Sequence, residues 1–512
     1  MEIELKLAVS PADLQRVMQK PVLDHFSFAR PTTEQLHARF FDTADCRLQE
    51  QGLSLRVRSK SGGWVQTLKR DGKPGGAFER DEWEMAVPGP EPDLAALLGD
   101  AGLPGAVARL LKRLRHDGAL QEKFAVRVQR ETWQLRMADA QVEMVLDDGA
   151  VTCGGASAPV SEIEFELHSG DKAALYALAA ELAGYISVHV SSESKSARGY
   201  ALCKGRPEAP HKAGTIALSR RLNVEAGVQA ILASCLQHAG ANVRGVLETD
   251  DPEYLHQVRV GLRRFRSALK LFEPLVALPE PLAAELSWLG EVLGGARDHD
   301  VLALTTLPAL AADVDGAGQE QLRPLLERAV AAAAEHRSVL REAMHSPRYG
   351  QCMLALHEWV DCARWRQAAS DEQKAALRKP LIKFARKAVE EGHARIRKRG
   401  RGLHRHDATA LHRLRIACKR NRYAVEFFRD LARDKPAARY IKALSALQDT
   451  LGQRNDMSVA LTLLPALGGD AAALAAPTAF AMGYLSCGAN AGLHGVRKPW
   501  RQFSRLSPDK LI

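Results

Sequence analysis

From residue 2 to about 170, apolar and charged side chains alternate in short runs; from about Ala217 the repeat lengthens to 3.6 residues. Strict alternation marks half-buried antiparallel strands, whose successive side chains point to opposite faces. It is legible over 2–7, 53–58, 64–69, 78–85, 125–130, 141–147 and 162–167, with Gly, Pro and Asp turns between the runs. Stretches 95–114 and 172–182 read as helices inserted into this sheet or barrel. The Pro/Gly-containing stretch 204–215 reads as a linker, and the rest as a helical bundle rich in Ala and Leu. The pattern predicts an α+β chain of two domains: an antiparallel β domain over 1–203, a linker over 204–216 and an all-α domain over 217–500.

The helical half repeats itself. His256-Gln-Val-Arg259-Val-Gly-Leu-Arg263-Arg264-Phe-Arg266 returns as His412-Arg-Leu-Arg415-Ile-Ala-Cys-Lys419-Arg420-Asn-Arg422. Upstream His238 matches His393, and downstream Leu293-Gly-Gly-Ala-Arg297-Asp298 matches Leu451-Gly-Gln-Arg-Asn455-Asp456. Three features in one order make a tandem duplication, with copies over about 217–345 and 375–500.

Charge sharpens the division. The net charge is +10, yet residues 1–210 hold 26 Lys and Arg against 30 Asp and Glu, leaving 45 against 31 for the remainder. A mildly acidic front domain is thus joined to a basic one that attracts polyanions. The eight cysteines are scattered without a C-x-x-C, which argues against a disulfide framework or zinc site and for a reducing, cytoplasmic setting. Strand-like sequence from residue 2 leaves no signal peptide expected. Stretch 471–496 is uncharged and long enough to span a membrane. Pro477, its glycines, Ser486, Asn490 and the predominance of alanine favour a buried helix pair instead.

In the front domain, strand parity groups the charges. Glu2, Glu4 and Lys6 share a face, as do Arg56 and Arg58, then Arg80, Glu82 and Glu84, then Glu162, Glu164 and Glu166. Lys69 joins the face of Thr67, and Arg127 and Asp147 add single charges from two more strands. A sandwich with one solvated face gives mixed charges by default. Here the signs are segregated by strand, and helices are too few for a second core. Closing the sheet with its charged face inward gives a lumen that must be neutralised. Divalent cations on the carboxylates and phosphate oxygens on the Arg and Lys groups meet that need.

The order Glu2-x-Glu4-x-Lys6, Phe40-Phe41-Asp42-Thr43, Leu53-Ser-Leu-Arg56-Val-Arg58, Thr67-Leu-Lys69, Leu146-Asp147-Asp148-Gly149, Glu162-Ile-Glu164 and Ser194-Lys195-Ser196 resembles the CYTH family, the triphosphate tunnel metalloenzymes. The resemblance implies an eight-stranded antiparallel β-barrel tunnel that hydrolyses a triphosphate with Mg²⁺ or Mn²⁺, two ions per barrel. It further implies metal ligation by Glu2, Glu4, Glu162 and Glu164 with help from Asp147. The phosphate-gripping set it implies is Arg56, Arg58, Lys69, Arg127 and Lys195, and Arg80 is added to the substrate-binding residues. Glu4, Lys6 and Lys69 form the catalytic set; Lys6 either grips phosphate or orients the attacking water. Glu82 and Glu84 both fit the family's acidic strand.

In the helical half, His256, Arg259, Arg263, Arg266 and Lys270 fall 3, 4, 3 and 4 residues apart, one stripe of a helix, and His412, Arg415, Lys419 and Arg422 repeat it. Solvated faces mix signs, because like charges at i,i+4 destabilise a helix by ~0.2–0.5 kcal/mol per pair. Neither stripe contains an acid. The arrangement resembles the CHAD family, which implies binding of inorganic polyphosphate by His238, His256, Arg259, Arg263, Arg266, His393, His412, Arg415, Lys419 and Arg422. Two departures from the repeat, Arg297 against Asn455 and Asn242 against Arg397, imply unequal grips. Nucleic acid is the rival polyanion. Single-strand binders interleave aromatics for stacking, and this chain is only 6% aromatic.

Together the readings point to a metal-dependent inorganic triphosphatase joined to a polyphosphate-binding module that recruits it to long polyphosphate or its granules. Two alternatives stay open: a polyphosphate-binding protein with a weak barrel, and the same barrel acting on nucleoside or thiamine triphosphate or cyclising ATP.

Overall fold

The computed structural model describes all residues except 1–2, 21, 61–62, 71–81, 119, 206–208, 402–407, 469–471, 492 and 510, and the side chains at 60, 408, 453, 489–491, 493 and 494. Two compact units result: Met1–Pro210 with His345–Glu358, and His211–Met344 with Trp359–Ile512.

The first unit is built on one antiparallel sheet. Its strands are β1 (Ile3–Ala8), β2 (Thr32–Asp42), β3 (Leu53–Lys60), β4 (Gly63–Arg70), β5 (Glu82–Val87), β6 (Gln121–Met137), β7 (Ala140–Cys153), β8 (Ala156–Ser169) and β9 (His189–Val190). They lie in the order β5-β4-β3-β2-β6-β7-β8-β1-β9. Among the described residues the sheet has nine strands where eight were expected, because the short β9 pairs beyond β1, and it does not close into the expected barrel: β5 and β9 end the hydrogen-bonded order.

Helices cover the face away from the charges. Over β3–β5, Leu55, Val57, Leu68 and Trp83 pack with Leu97, Leu111 and Leu114 of helices Leu94–Leu98 and Gly105–Asp117. Helix Pro11–Gln19, capped by the Ser10 hydroxyl on Asp13 N at 3.0 Å, packs against β7 and β8 through this face. One end of the opposite face is also apolar. Leu36, Ala38, Phe40, Phe124, Val126, Val128 and Val160 are sealed there by Tyr200 of helix Lys195–Cys203.

The cysteine expectation is corrected at this helix: Cys203, its last residue, is disulfide-bonded to Cys153 on β7. The partners stand 50 residues apart, a separation that sequence spacing alone cannot pair.

The second unit is helical, as the 3.6-residue period predicts. Helices Val224–Gly240, Pro252–Phe272 and Glu280–Val301 of the first copy correspond to Leu381–Arg399, Ala408–Phe427 and Asp434–Gly468 of the second. The copies meet at their first helices, where Val224 N donates to Lys379 O and Leu381 N to Leu222 O, both at 2.9 Å. Stretch 471–496 holds helix Ala472–Ala491 and the start of Leu493–Ser504. Only part of it is buried: Ala481 and Leu485 join the core, while Phe480 and Tyr484 are exposed. Among the described residues no helix is long and apolar enough to cross a membrane.

Candidate active site and basic groove

The register turns separate charges into one constellation. Lys6 on β1 stands opposite Glu164 on β8, Asp147 on β7 opposite Glu162, and Arg130 on β6 opposite Asp147. Asp147 and Glu162 are fully buried, and Glu164 is partly so. Three cations converge on these three carboxylates. Lys195 Nζ lies 2.8, 2.7 and 3.1 Å from Asp147, Glu162 and Glu164. Lys6 Nζ lies 3.4 Å from Glu162 and 2.8 Å from Glu164. Arg130 grips Asp147 with two bonds, Nε at 2.8 Å and Nη2 at 2.6 Å. Arg198 adds a contact to Glu162 Oε1 at 3.2 Å.

Burial alone would raise both glutamates, but Lys195 and Lys6 outweigh it. Glu162 is held at about 2, and Glu164 well below the usual carboxylate range. Conversely, burial opposes the charge on Lys195, and the carboxylates of Glu164, Glu162 and Asp147 overcome it and raise its pKa. The charges of the lining are thus neutralised by one another.

Ser194 explains how Lys195 is aimed. Its hydroxyl accepts from Ala197 N at 3.1 Å, capping the helix, so Lys195 occupies the first turn and extends toward β7 and β8.

A second group lies on β3–β5. Arg56 is 3.8 Å from Glu82, Arg58 is 3.6 Å from Glu84, and Lys69 is 2.7 Å from Glu82. Glu84 also accepts from the Thr67 hydroxyl at 3.1 Å. Both acids of the expected strand therefore line the site. Burial, then the neighbouring Arg58, pushes the Arg56 guanidinium down to about 10, and the Nε atoms of Arg56 and Arg58 are buried without hydrogen-bond partners. Such a pair of guanidinium groups has the hydrogen-bonding capacity to receive an anion.

Not every expected residue joins these groups. Arg127 is exposed and stands opposite His37 and Ala150, on the face away from the site; Arg130 holds the inward position that sequence reasoning missed. On β6 the inward positions Val126 and Val128 are apolar, so the polar series of Arg127 and Gln129 misleadingly resembles the lining. Glu4 shares the face of Lys6 but stands one step beyond it, opposite Glu166. Glu2 and Arg80 lie outside the described residues.

The donor set fits a hard divalent cation. Ligand oxygens of Asp147, Glu162 and Glu164 lie within 4.8 Å of one another, and carboxylates suit Mg²⁺ and Mn²⁺. The Lys195 ammonium shows that all three converge on a positive charge.

In the second unit the two basic stripes approach each other. Arg263 Nε donates to the Tyr423 hydroxyl at 3.0 Å, and Arg264 reaches Glu426 at 3.1 Å. Burial, then Arg263 and Arg415, pushes Lys419 down to about 7. Burial, then Arg297, pushes His256 down to about 4. Arg259 and Arg415 are anchored differently, on Leu293 O at 2.9 Å and on Asn455 Oδ1 at 3.0 Å. Arg266 bonds Leu286 O at 2.5 Å, Arg422 lies 3.6 Å from Glu426, and His412 is exposed. His238 and His393 are separate from the stripes. His238 is buried against Gln257 and His211 O at 3.0 and 3.1 Å, and His393 against the Tyr440 hydroxyl at 2.9 Å. Burial lowers the pKa of both, the behaviour of neutral core histidines.

Known proteins resemble the two units separately. The CYTH domain model matches residues 1–200 and the CHAD domain model residues 230–465. An inorganic triphosphatase of Haemophilus influenzae is 31% identical over 210 residues, which cover 39% of this chain. The chain spans about half of that relative, 54% of its length. The crystal structure of the CHAD domain of the plant Ricinus communis is 37% identical, with 60% of this chain and 100% of that chain covered at a TM-score of 0.52. A Hippeastrum protein whose structure is described as revealing a dominant triphosphatase activity is 20% identical, covering 41% of this chain and 98% of that one at a TM-score of 0.29. The chain carries a CYTH domain over residues 1–200 followed by a CHAD domain over residues 230–465.

Proposed function

We propose that the CYTH domain hydrolyses inorganic triphosphate to diphosphate and phosphate with Mg²⁺ or Mn²⁺, and that the CHAD domain binds inorganic polyphosphate. The observation that carries the reading is the convergence of Asp147, Glu162 and Glu164 on one sheet face that also bears Lys6, Arg56, Arg58, Lys69 and Arg130. Asp147, Glu162 and Glu164 hold the divalent ion, with Glu4 next in the row. When bound, it supplies neutralising charge to the phosphoryl oxygens. Arg56 and Arg58 bind and orient the phosphate chain through guanidinium Nε hydrogens that lack protein acceptors, and Lys69 adds a positive charge beside Glu82. The Lys6 and Lys195 ammonium groups offset charge on the transferring group. Phosphoryl transfer needs little covalent assistance beyond such positioning.

Arg263, Arg415 and Lys419 form the centre of the polyphosphate site, and their mutual proximity without enough acid is what favours a polyanion. The module recruits the enzyme to long polyphosphate or its granules.

The test is phosphate release from triphosphate, ATP, thiamine triphosphate and long polyphosphate with Mg²⁺ or Mn²⁺. Triphosphate should be the preferred substrate. ATP turnover far above that of triphosphate overturns the substrate assignment.

A further inference from the structure

The helix that delivers Lys195 is held at three places. At its start, the Ser194 cap fixes the first turn and Lys195 enters the carboxylate group. In its middle, Tyr200 meets Phe124 edge-on with ring centroids 5.1 Å apart and donates to Asp42 Oδ2 at 2.8 Å. Beside it, a Cβ on Gly199 would lie 2.2 Å from the Phe124 ring, so the helix sits against β6 as closely as glycine allows. At its end, Cys203 is bonded to Cys153, six residues along β7 from Asp147.

The disulfide therefore links the helix that bears one site cation to the strand that bears one site carboxylate. Both cysteines are partly exposed and within reach of small thiols, whereas Cys235 and Cys418 are buried. A bond placed across a site in this way is unlike the dense disulfide framework of a small secreted domain.

We infer that Cys153 and Cys203 form a redox modification site that sets how firmly Lys195 is seated among Asp147, Glu162 and Glu164. This inference rests on the proposed reading of those carboxylates as the metal and phosphate site. The partner is a small disulfide of the glutathione type. A protein thiolate attacks one of its sulfurs and expels a thiol, and the second protein thiolate then resolves the mixed disulfide. Two protein thiols give up two electrons and two protons; the small disulfide leaves as two thiols.

The two states should differ in opposite ways for metal and for turnover. In the disulfide form Lys195 competes with a divalent ion for three carboxylates and stands ready to meet phosphate. In the dithiol form the last helical turn loses its covalent anchor, the ammonium is seated less firmly, and the ion competes better while phosphate is gripped less well.

The experiment uses the full chain, treated with oxidised glutathione or with a phosphine reductant. Thiol titration after denaturation should find six thiols in the oxidised protein and eight in the reduced one. Free Mn²⁺ measured by electron paramagnetic resonance should show a Kd roughly threefold or more lower for the reduced protein, and kcat/KM for triphosphate should fall by a similar factor. Cys203→Ser should behave as the reduced protein under both treatments. Eight thiols after oxidation, or an unchanged Mn²⁺ Kd, overturns the inference. A redox-dependent Mn²⁺ Kd without triphosphate turnover in either state supports the switch and overturns the proposed function alone.

Discussion

Arg130 meets Asp147 through two parallel bonds of 2.8 and 2.6 Å, although Arg127 is the arginine that the polar pattern of the strand singles out. Replacing Arg130 leaves a fully buried aspartate without its fork-shaped partner and removes a cation from the lining.

Arg130→Gln should therefore lower kcat/KM for triphosphate by roughly 100-fold or more, the scale of losing one charge-stabilising group. Arg127→Gln, on the opposite face, should stay within about threefold of wild type, as expected of an exposed position. Steady-state phosphate release on both variants decides it, and equal losses would refute the assignment of the inward arginine.

Glu162→Gln and Glu164→Gln each remove one oxygen charge from the group that converges on Lys195. Both should abolish Mn²⁺- and Mg²⁺-dependent turnover while keeping the far-ultraviolet circular dichroism of wild type. Glu4→Gln should also silence the enzyme; near wild-type kcat in that variant would remove Glu4 from the site.

Acid should weaken the CYTH domain in a defined window. The folded Glu162 titrates at about 2 against an ordinary 4.5, so its pairing adds stability that is complete above 4.5 and is lost as the pH falls through 2. Thermal melts should decline across that interval. Glu162→Gln should flatten the decline; an unchanged slope would contradict the pairing.

Lys419 makes the opposite experiment possible in the CHAD domain. Its folded pKa near 7 lies below the ordinary 10.5. Polyphosphate favours the protonated form, so binding should take up protons around neutral pH and weaken between pH 6 and 9. Lys419→Ala should remove that component, while changing Arg263, Arg266, Arg415 and Lys419 together to Ala should abolish binding at moderate salt. Isothermal titration in buffers of different ionisation enthalpy measures the uptake.

The alternation of the first half was enough to read strands, and the repeated His/Arg stripe enough to read a duplicated bundle. Register is what parity could not supply. The two-residue turn at Ala138 and Asp139 places Arg130, not Arg127, opposite Asp147, and counting outward from that turn would have found it. Charge balance was misjudged for a related reason. Acids and bases segregated along the sequence become neighbours across strands: Arg56 reaches Glu82 over β4, and Lys6 reaches Glu164 from β1. His238 and His393 looked like stripe members because they recur with the repeat, yet they recur because each fills the same interior position in its copy.

The ammonium of Lys195 among Asp147, Glu162 and Glu164 has a last consequence for handling the protein. Three negative side chains face the three positive ones of Lys6, Arg130 and Lys195, so the site carries its own counter-ions. A zinc finger unravels when its metal is stripped, because the metal provides the folding energy. Here a chelator should silence the enzyme and leave it folded, ready to be revived by adding the ion back.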